Sequence, residues 1–298
     1  MLGCKGVMRR FPGHRVLLGL VSIAGILTAA LIFIALAPAQ EKPDDDAIWE
    51  AFISWFRSAP KDAAGPFEAY AAKLVEEGMP KPEIQRRIVT IIRLFSERPE
   101  GLEIYFDWAY SQPMTGDPAK DGINLAPSAF LVDTVKAMKP GVALDVGMGQ
   151  GRNAVYLASQ GWDVTGMDIS QVALDAARAN AEKAGVSIRT EKAAYATFDF
   201  GVNKWDLIVM VFAWAPVSDP AFVAKLKTSL RPGGVVLYEH YLGPPDPAIK
   251  TPTMAPAPNE LKTFFADFDI KFYEETEEQA DWGWEKCGLV RMLARKRS

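Results

Sequence analysis

The chain of 298 residues contains few of the side chains from which cross-links and metal clusters are built. It has two cysteines, Cys4 and Cys287, and two histidines, His14 and His240. Cys4 precedes a long hydrophobic run, so a disulfide framework is excluded. Two histidines cannot form a metal-ligating cluster by themselves, and we therefore expect no bound metal.

The chain also lacks a concentration of positive charge beyond its first fifteen residues. Its formal net charge is −4, and its lysines and arginines are scattered, which is not the electrostatic pattern of a nucleic-acid-binding protein. We therefore expect no nucleic-acid partner. Internal repeats and low-complexity tracts are absent from the sequence, and a content of 49% hydrophobic and 23% charged residues is typical of a globular protein.

The N-terminal region contains the one long hydrophobic run, Val16–Leu36, which follows a basic tail formed by residues 1–15. This run has the length of a membrane-spanning helix of roughly 20 residues, and the basic flank predicts a single-pass protein with a cytoplasmic N-terminus. The alternative is a secretory signal, because Ala37-Pro38-Ala39 fits a cleavage site and would release a secreted or periplasmic protein. Residues 37–46 follow as a linker.

The next region, residues 47–120, has helical periodicity and predicts a small helical appendage. Apolar residues recur there at the spacing of one helix face. The expected helices are Ala47–Arg57, Pro66–Glu77, Lys81–Ser96 and Glu103–Tyr110.

From residue 121 to residue 298 the pattern changes to strands that alternate with helices. This alternation predicts an α/β fold with a doubly wound, mostly parallel, Rossmann-like sheet of seven strands. The expected strands are Val142–Val146, Asp163–Asp168, Val186–Glu191, Trp205–Val211, Gly234–His240, Phe268–Tyr273 and Leu289–Ala294.

A glycine-rich turn follows the first of these strands. Glycines at 147, 149 and 151 allow a sharp turn, and the helix that follows directs its first amides at a ligand. Asp168 ends the next strand, where a carboxylate can bind ribose hydroxyls. A dinucleotide-binding fingerprint requires its third glycine at position 152, which is Arg152 here, so the spacing disfavours a nicotinamide-dependent oxidoreductase.

Two segments, Leu144–Ala158 and Gly161–Ser170, resemble the class I S-adenosylmethionine-dependent methyltransferases. They are most similar to the tellurite-resistance and thiopurine-like branch, which acts on small molecules. The resemblance covers about Asn124–Lys296. It implies S-adenosyl-L-methionine as cofactor and a small-molecule methyl acceptor as partner.

The resemblance also implies roles for individual residues in cofactor binding. Asp145 and the glycine turn would hold the methionine part, Asp168 the ribose and Ile169 one face of the adenine. The family usually has an acid after the third strand, and Ala194 occupies that position here, so we expect backbone contacts near Ala194 and Tyr195 instead. The cofactor-binding residues expected in this way are Asp145, Gly147, Met148, Gly149, Gly151, Asp168, Ile169, Ala194, Tyr195 and Val211.

Three further residues are candidates for the acceptor side. His240 at the end of the fifth strand could act as a base, Trp214 should lie beside the transferred methyl, and Tyr110 could belong to an aromatic lid. The structural alternatives are that His240 is only a hydrogen-bonded histidine at a strand end and that Tyr110 belongs to ordinary aromatic packing. The sequence also leaves open a non-catalytic sensor or scaffold with a methyltransferase fold, which the missing acid at Ala194 supports.

Overall fold

The computed structural model describes residues 44–58, 66–112, 114–117, 124–243, 255–281 and 286–297. The N-terminal tail and the hydrophobic run Val16–Leu36 lie outside these ranges. Among the helices within them, none combines the length and the hydropathy needed to cross a bilayer. The described residues form two compact units, one within residues 44–112 and one within residues 114–297.

The first unit consists of helices, as the periodicity predicted. Pro82 lies in the first turn of α3 and Pro99 in that of α4, where the missing amide hydrogen of proline is tolerated. α1 has acids in its first turn and Arg57 in its last, which suits the helix dipole. The helices are α1 Asp45–Ser58, α2 Pro66–Glu76, α3 Lys81–Glu97 and α4 Pro99–Ser111.

Aromatic side chains form the core of the helical unit. Phe52 of α1 is fully buried and packs edge-on against Tyr70 of α2 and Phe95 of α3, with ring centroids 5.1 and 5.5 Å apart. Two ion pairs, Arg93 with Asp45 and Arg98 with Asp46, connect the start of α1 to the end of α3 and the residue that follows it. Buried rings and these pairs thus stabilise one small helical layer.

The second unit contains a seven-stranded sheet with the order β3-β2-β1-β4-β5-β7-β6. Its strands are β1 Val142–Val146, β2 Asp163–Asp168, β3 Arg189–Lys192, β4 Trp205–Val211, β5 Leu230–Tyr241, β6 Asp269–Gln279 and β7 Lys286–Arg295. Its helices are α5 Ala129–Val135, α6 Arg152–Ser159, α7 Gln171–Lys183, α8 Pro220–Ser229 and α9 Glu260–Phe264.

The sheet is mixed, which corrects the expectation of a mostly parallel one. The strand pairs β1–β2, β1–β4, β2–β3 and β4–β5 are parallel, whereas β7 runs antiparallel to both β5 and β6. The connection between β6 and β7, residues 280–285, is too short for the crossover that a parallel pair requires. β7 therefore has to return as the second strand of a hairpin.

The strand order reverses between β1 and β4, and this reversal positions the site. In such sheets, ligands bind in the crevice outside the carboxyl ends of the strands at the point of reversal. Both faces of β1 and β4 are covered, because Leu144 and Ile208 belong to one apolar cluster and Ala143 and Val209 to another. The crevice thus opens above strands that are buried on both faces.

Candidate functional site

The glycine turn between β1 and α6 has the backbone conformation that its composition predicted. Gly147, Gly149 and Gly151 have φ angles of 65°, 54° and 80°, in the left-handed region that favours glycine. A Cβ at position 147 would lie 2.8 Å from the Tyr195 hydroxyl and 3.0 Å from the Ala213 carbonyl oxygen. Gly147 is therefore required by close packing as well as by its backbone angle.

Asp168 ends β2 and fixes the glycine turn to the start of α7. One carboxylate oxygen accepts a hydrogen bond from the Gly149 amide at 2.8 Å, and the other accepts one from the Ser170 amide at 2.9 Å. The Ser170 hydroxyl in turn accepts from the Ala173 amide and caps α7. Asp168 is buried at the end of β2, beside the glycine turn.

Asp145 lies at the end of β1 and is almost completely buried. Its Oδ2 atom has no hydrogen-bond partner among the described residues. Burial raises the pKa of Asp145 to about 7, although the Arg152 guanidinium and a hydrogen bond from the Ala154 amide act to lower it. A buried acceptor without a donor is costly, so this oxygen is suited to receive a donor from a ligand.

Two other predicted cofactor residues, Met148 and Ile169, differ in what their side chains do. The Met148 side chain packs on β2, where a Cβ at Gly166 would come within 2.0 Å of its sulfur. Only the backbone of Met148 is therefore left to line the turn. Ile169 is half-buried between Asp168 and Ser170, so part of its side chain faces outward from the end of β2.

Ala194 and Tyr195 follow β3, and the tyrosine reaches across the end of the sheet. The Tyr195 hydroxyl donates a hydrogen bond to the Ala213 carbonyl, beyond the end of β4. Burial raises the pKa of Tyr195, and the nearby carboxylates of Asp168 and Asp145 act in the same direction. Tyr195 is thus an uncharged donor that connects the loop after β3 to the turn after β4. Ala194 is half-buried beside it.

The turn after β4 has an unusual backbone. Phe212 and Trp214 have φ angles of 52° and 51°, which side chains other than glycine rarely adopt. Val211 ends the strand in a buried position, and the Phe212 amide donates to the Glu239 carbonyl at 2.8 Å. Such strain persists only where surrounding contacts enforce it, and it is concentrated at functional sites.

His240 lies near the end of β5 in an aromatic environment. Its ring is buried among Phe212, Tyr238 and Tyr241, at centroid distances of 5.9, 6.0 and 5.4 Å. Neither ring nitrogen has a hydrogen-bond partner of normal geometry in the described parts of the chain. Burial lowers the pKa of His240 to about 4, with only the Tyr241 backbone acting in the opposite direction. The imidazole is therefore neutral at pH 7.

The comparison with protein families matches residues 143–234 to a family described as "Methyltransferase domain". The matched range begins in β1 and ends within β5, and it contains the glycine turn, Asp168 and the turn after β4. Residues 143–234 therefore carry a methyltransferase domain. This confirms the resemblance seen in the sequence.

The methyltransferase domain is also similar to named proteins. A Haemophilus influenzae protein described as "Probable S-adenosyl-L-methionine-dependent methyltransferase TehB" is 28% identical over 182 residues, which is 56% of this chain. The chain spans 61% of that relative's length. "Ubiquinone biosynthesis O-methyltransferase" of Actinobacillus pleuropneumoniae is 32% identical over 101 residues, or 32% of this chain and 43% of the relative.

Among solved structures, the crystal structure of TehB from Haemophilus influenzae aligns with a TM-score of 0.49 and 27% identity. The alignment covers 57% of this chain and 62% of the TehB chain.

The structure brings most of the predicted residues together at one edge of the methyltransferase domain. Asp145, the glycine turn, Asp168 and Val211 all lie at carboxyl ends of neighbouring strands β1, β2 and β4. Tyr110 is different, because it lies on α4 in the helical unit, where its ring stacks on Phe106 at 6.2 Å.

The sequence did not reveal the buried charges of the methyltransferase domain. Glu239, next to His240, accepts hydrogen bonds from Arg291 Nε at 2.7 Å and from the Ser128 hydroxyl at 2.6 Å. Arg152, considered only as a mismatch to the dinucleotide fingerprint, contacts Asp281 at 2.9 Å. The partners are 52, 111 and 129 residues apart in the chain, so no local signal could have found them.

Proposed function

We propose that the protein is an S-adenosylmethionine-dependent methyltransferase that acts on a small-molecule acceptor. The observation that carries this proposal is the glycine turn with Asp145 and Asp168 at the ends of adjacent strands, inside the range that matches the methyltransferase family. The similarity to TehB and to the ubiquinone biosynthesis O-methyltransferase, both described as methyltransferases, supports the reaction class.

The residues at this edge of the sheet fit such a cofactor. The Oδ2 atom of Asp145, which has no partner among the described residues, is suited to the ammonium of the methionine part. The buried carboxylate of Asp168 is suited to ribose hydroxyls. The half-buried Ile169 offers an apolar surface to the adenine. Close packing around Gly147 forms a cradle that any larger side chain would fill. Ala194 and Tyr195 would border the adenine.

When bound, the cofactor would supply an electrophilic methyl group that passes to the acceptor, with the thioether S-adenosylhomocysteine as the leaving group. The protein needs no nucleophile of its own for this reaction. Its residues bind and orient the two reactants, which is the main source of acceleration in such transfers. Tyr195 and the Phe212 amide would support this role by fixing the turn after β4, beside which the acceptor would bind.

On the acceptor side, we assign His240 as the base and Trp214 as a substrate contact. A neutral imidazole can take the proton that the acceptor loses when it gains the methyl group. His240→Gln should leave affinity for S-adenosylhomocysteine within about threefold but lower kcat by roughly 100-fold, since general-base catalysis contributes effects of this size.

Steady-state kinetics with an identified acceptor would test this assignment. Because the pKa of His240 is about 4, wild-type kcat should be independent of pH between pH 5.5 and 8. His14→Gln is the matched control. Unchanged turnover in His240→Gln would show that the histidine only packs.

Calorimetric titration of S-adenosylmethionine and S-adenosylhomocysteine into the full chain tests the function itself. Saturable binding, followed by methyl transfer to one member of a panel of oxygen, nitrogen, sulfur and metalloid acceptors, would establish the enzyme. Binding without transfer to any acceptor would favour the sensor or scaffold. The absence of binding to the folded protein would contradict the enzyme and leave a scaffold or sensor.

We further propose that Val16–Leu36 anchors the protein in a membrane with its N-terminus in the cytoplasm, which rests on the length of the run and its basic flank. Fractionation of cells that express the full chain with a C-terminal phosphatase reporter tests this topology. We expect active phosphatase in the membrane fraction. A soluble product shortened at Ala39 would support the cleaved signal.

A further inference from the structure

Arg152 is the first residue of α6, and its guanidinium is only partly used by the protein. Nη1 donates to the carbonyl oxygens of Asn124 and Ala126 at 3.0 and 2.9 Å and to Asp281 Oδ2 at 2.9 Å. The side chain is 12% exposed. Nη2 is buried and has no hydrogen-bond partner among the described residues.

A second unsatisfied group, of opposite charge, lies at the same turn. Asp145 Oδ2 is also buried and has no hydrogen-bond partner in the part of the chain that the structure describes, and the Arg152 guanidinium acts electrostatically on this carboxyl. Among the described residues, the buried side-chain nitrogen and oxygen atoms without a hydrogen-bond partner belong to Asp145, Arg152 and His240. Two of the three residues therefore flank the glycine turn, one as an acceptor and one as a cationic donor.

The pair matches the chemistry of an α-amino acid zwitterion. An ammonium provides donors for a carboxylate, and a carboxylate provides acceptors for a guanidinium, whose planar N–H groups suit it better than a lysine would. Buried polar atoms left without partners are rare in folded proteins and require a reason. A ligand that carries both charges would satisfy both atoms at once.

We propose that Arg152 Nη2 binds the α-carboxylate of the cofactor's amino acid part, while Asp145 binds its ammonium. This inference rests on the proposed function and deepens it by assigning the second charge of the methionine site. Arg152 then has two tasks. Its Nη1 fixes the segment 124–126 and Asp281 to the start of α6, and its Nη2 selects ligands that carry a carboxylate.

Titration calorimetry with two ligands separates these tasks. S-adenosylhomocysteine carries the amino acid part, whereas 5′-methylthioadenosine has the same nucleoside and thioether but neither ammonium nor carboxylate. We expect Arg152→Gln to lower the affinity for S-adenosylhomocysteine at least 30-fold and the affinity for 5′-methylthioadenosine less than threefold. The reason is that a charge-assisted hydrogen bond to a carboxylate is stronger than a hydrogen bond between neutral groups. Arg152→Lys keeps the charge without the planar donors, so its affinity for S-adenosylhomocysteine should lie between those of the wild type and Arg152→Gln.

Asp281→Asn is the control for the structural task, because it removes the ion pair of Arg152 and leaves the guanidinium in place. It should leave the affinity for both ligands within about threefold. Equal weakening of both ligands by Arg152→Gln would overturn the inference, since a purely structural role affects the whole site. If Arg152→Gln does not fold, Arg152→Lys replaces it in the test. A selective loss of affinity for S-adenosylhomocysteine would then support the inference, and an equal loss for both ligands would overturn it. Wild-type protein that binds neither ligand would instead refute the proposed function, and this inference with it.

Discussion

Asp145→Asn is expected to stabilise the ligand-free protein at pH 8 by about 2 to 4 kcal/mol and to weaken cofactor binding at least tenfold. The substitution preserves the size of the side chain and an oxygen for the Ala154 amide. It removes the ionisable group whose burial is unfavourable, and with it the charge that the ammonium requires. Stability and binding should therefore change in opposite directions.

The pH dependence of this gain follows from the raised pKa of Asp145. In the unfolded chain the carboxyl ionises near its ordinary value of 3.8, whereas in the folded protein its pKa is about 7. Between these values the folded state holds a proton that the unfolded state has released, so wild-type stability falls as the pH rises. The gain from Asn should be complete above about pH 7, about half as large at pH 5.5, and absent below pH 3.8.

Urea unfolding of both proteins at pH 5.5 and pH 8, without ligand, measures this effect. The matched control is Asp163→Asn at the other end of the sheet, because Asp163 is exposed and pairs only with the exposed Arg189 in the described structure. We expect no change in stability beyond about 0.5 kcal/mol for the control. An equal gain at both pH values would mean that packing rather than ionisation limits the stability of the wild type.

Proton release offers a second readout of the same group. An ammonium bound beside Asp145 favours the ionised carboxylate, so cofactor binding at pH 7 should release about half a proton. Calorimetry in buffers of different ionisation enthalpy detects this release as a buffer-dependent heat. Other groups that act electrostatically with Asp145 are Arg152, Asp168 and Tyr195, and each remains in Asp145→Asn, where the buffer dependence should disappear.

The inner strands of the sheet were predictable, because they are short apolar runs with clear boundaries. β1, β2 and β4 begin and end at the predicted residues. β3, by contrast, is the four-residue strand RTEK rather than Val186–Glu191, and β6 continues to Gln279 through the polar segment EETEEQ. Both are edge strands with one neighbour, so they lack the continuous apolar pattern that marks a strand buried on both sides.

The helix α8 begins with two residues that mark a helix start in the sequence. Asp219 caps it through the Ala221 amide at 2.9 Å, and Pro220 occupies its first turn. Both are recognised start signals, so the N-terminus of this helix was predictable from the sequence. The cofactor side of the site was predictable for a different reason, since its residues lie within one strand-turn-helix-strand unit. The buried charges around Arg152 and Glu239 were not predictable, because tertiary folding alone brings them together.

Asp168→Ala is expected to abolish cofactor binding and to destabilise the protein by about 2 to 6 kcal/mol. Two buried amides, those of Gly149 and Ser170, would lose their acceptor, and each unsatisfied buried group costs roughly 1 to 3 kcal/mol. The glycine turn would lose one of its connections to β2, while the Met148 amide would still donate to the Met167 carbonyl. The ribose would lose its carboxylate. Both effects come from one side chain, so a milder variant is needed to separate them.

Asp168→Asn provides that separation, because it retains one acceptor oxygen and removes the charge. We expect it to bind S-adenosylhomocysteine and 5′-methylthioadenosine equally poorly, at least 30-fold more weakly than wild type, since both ligands carry the ribose. Asp163→Asn on the same strand should bind both normally. This pattern differs from that of Arg152→Gln, which should affect the ligand with a carboxylate alone. If Asp168→Asn discriminated between the two ligands, the ribose would not be what Asp168 binds, and the orientation of the cofactor along β1 and β2 would have to be reversed.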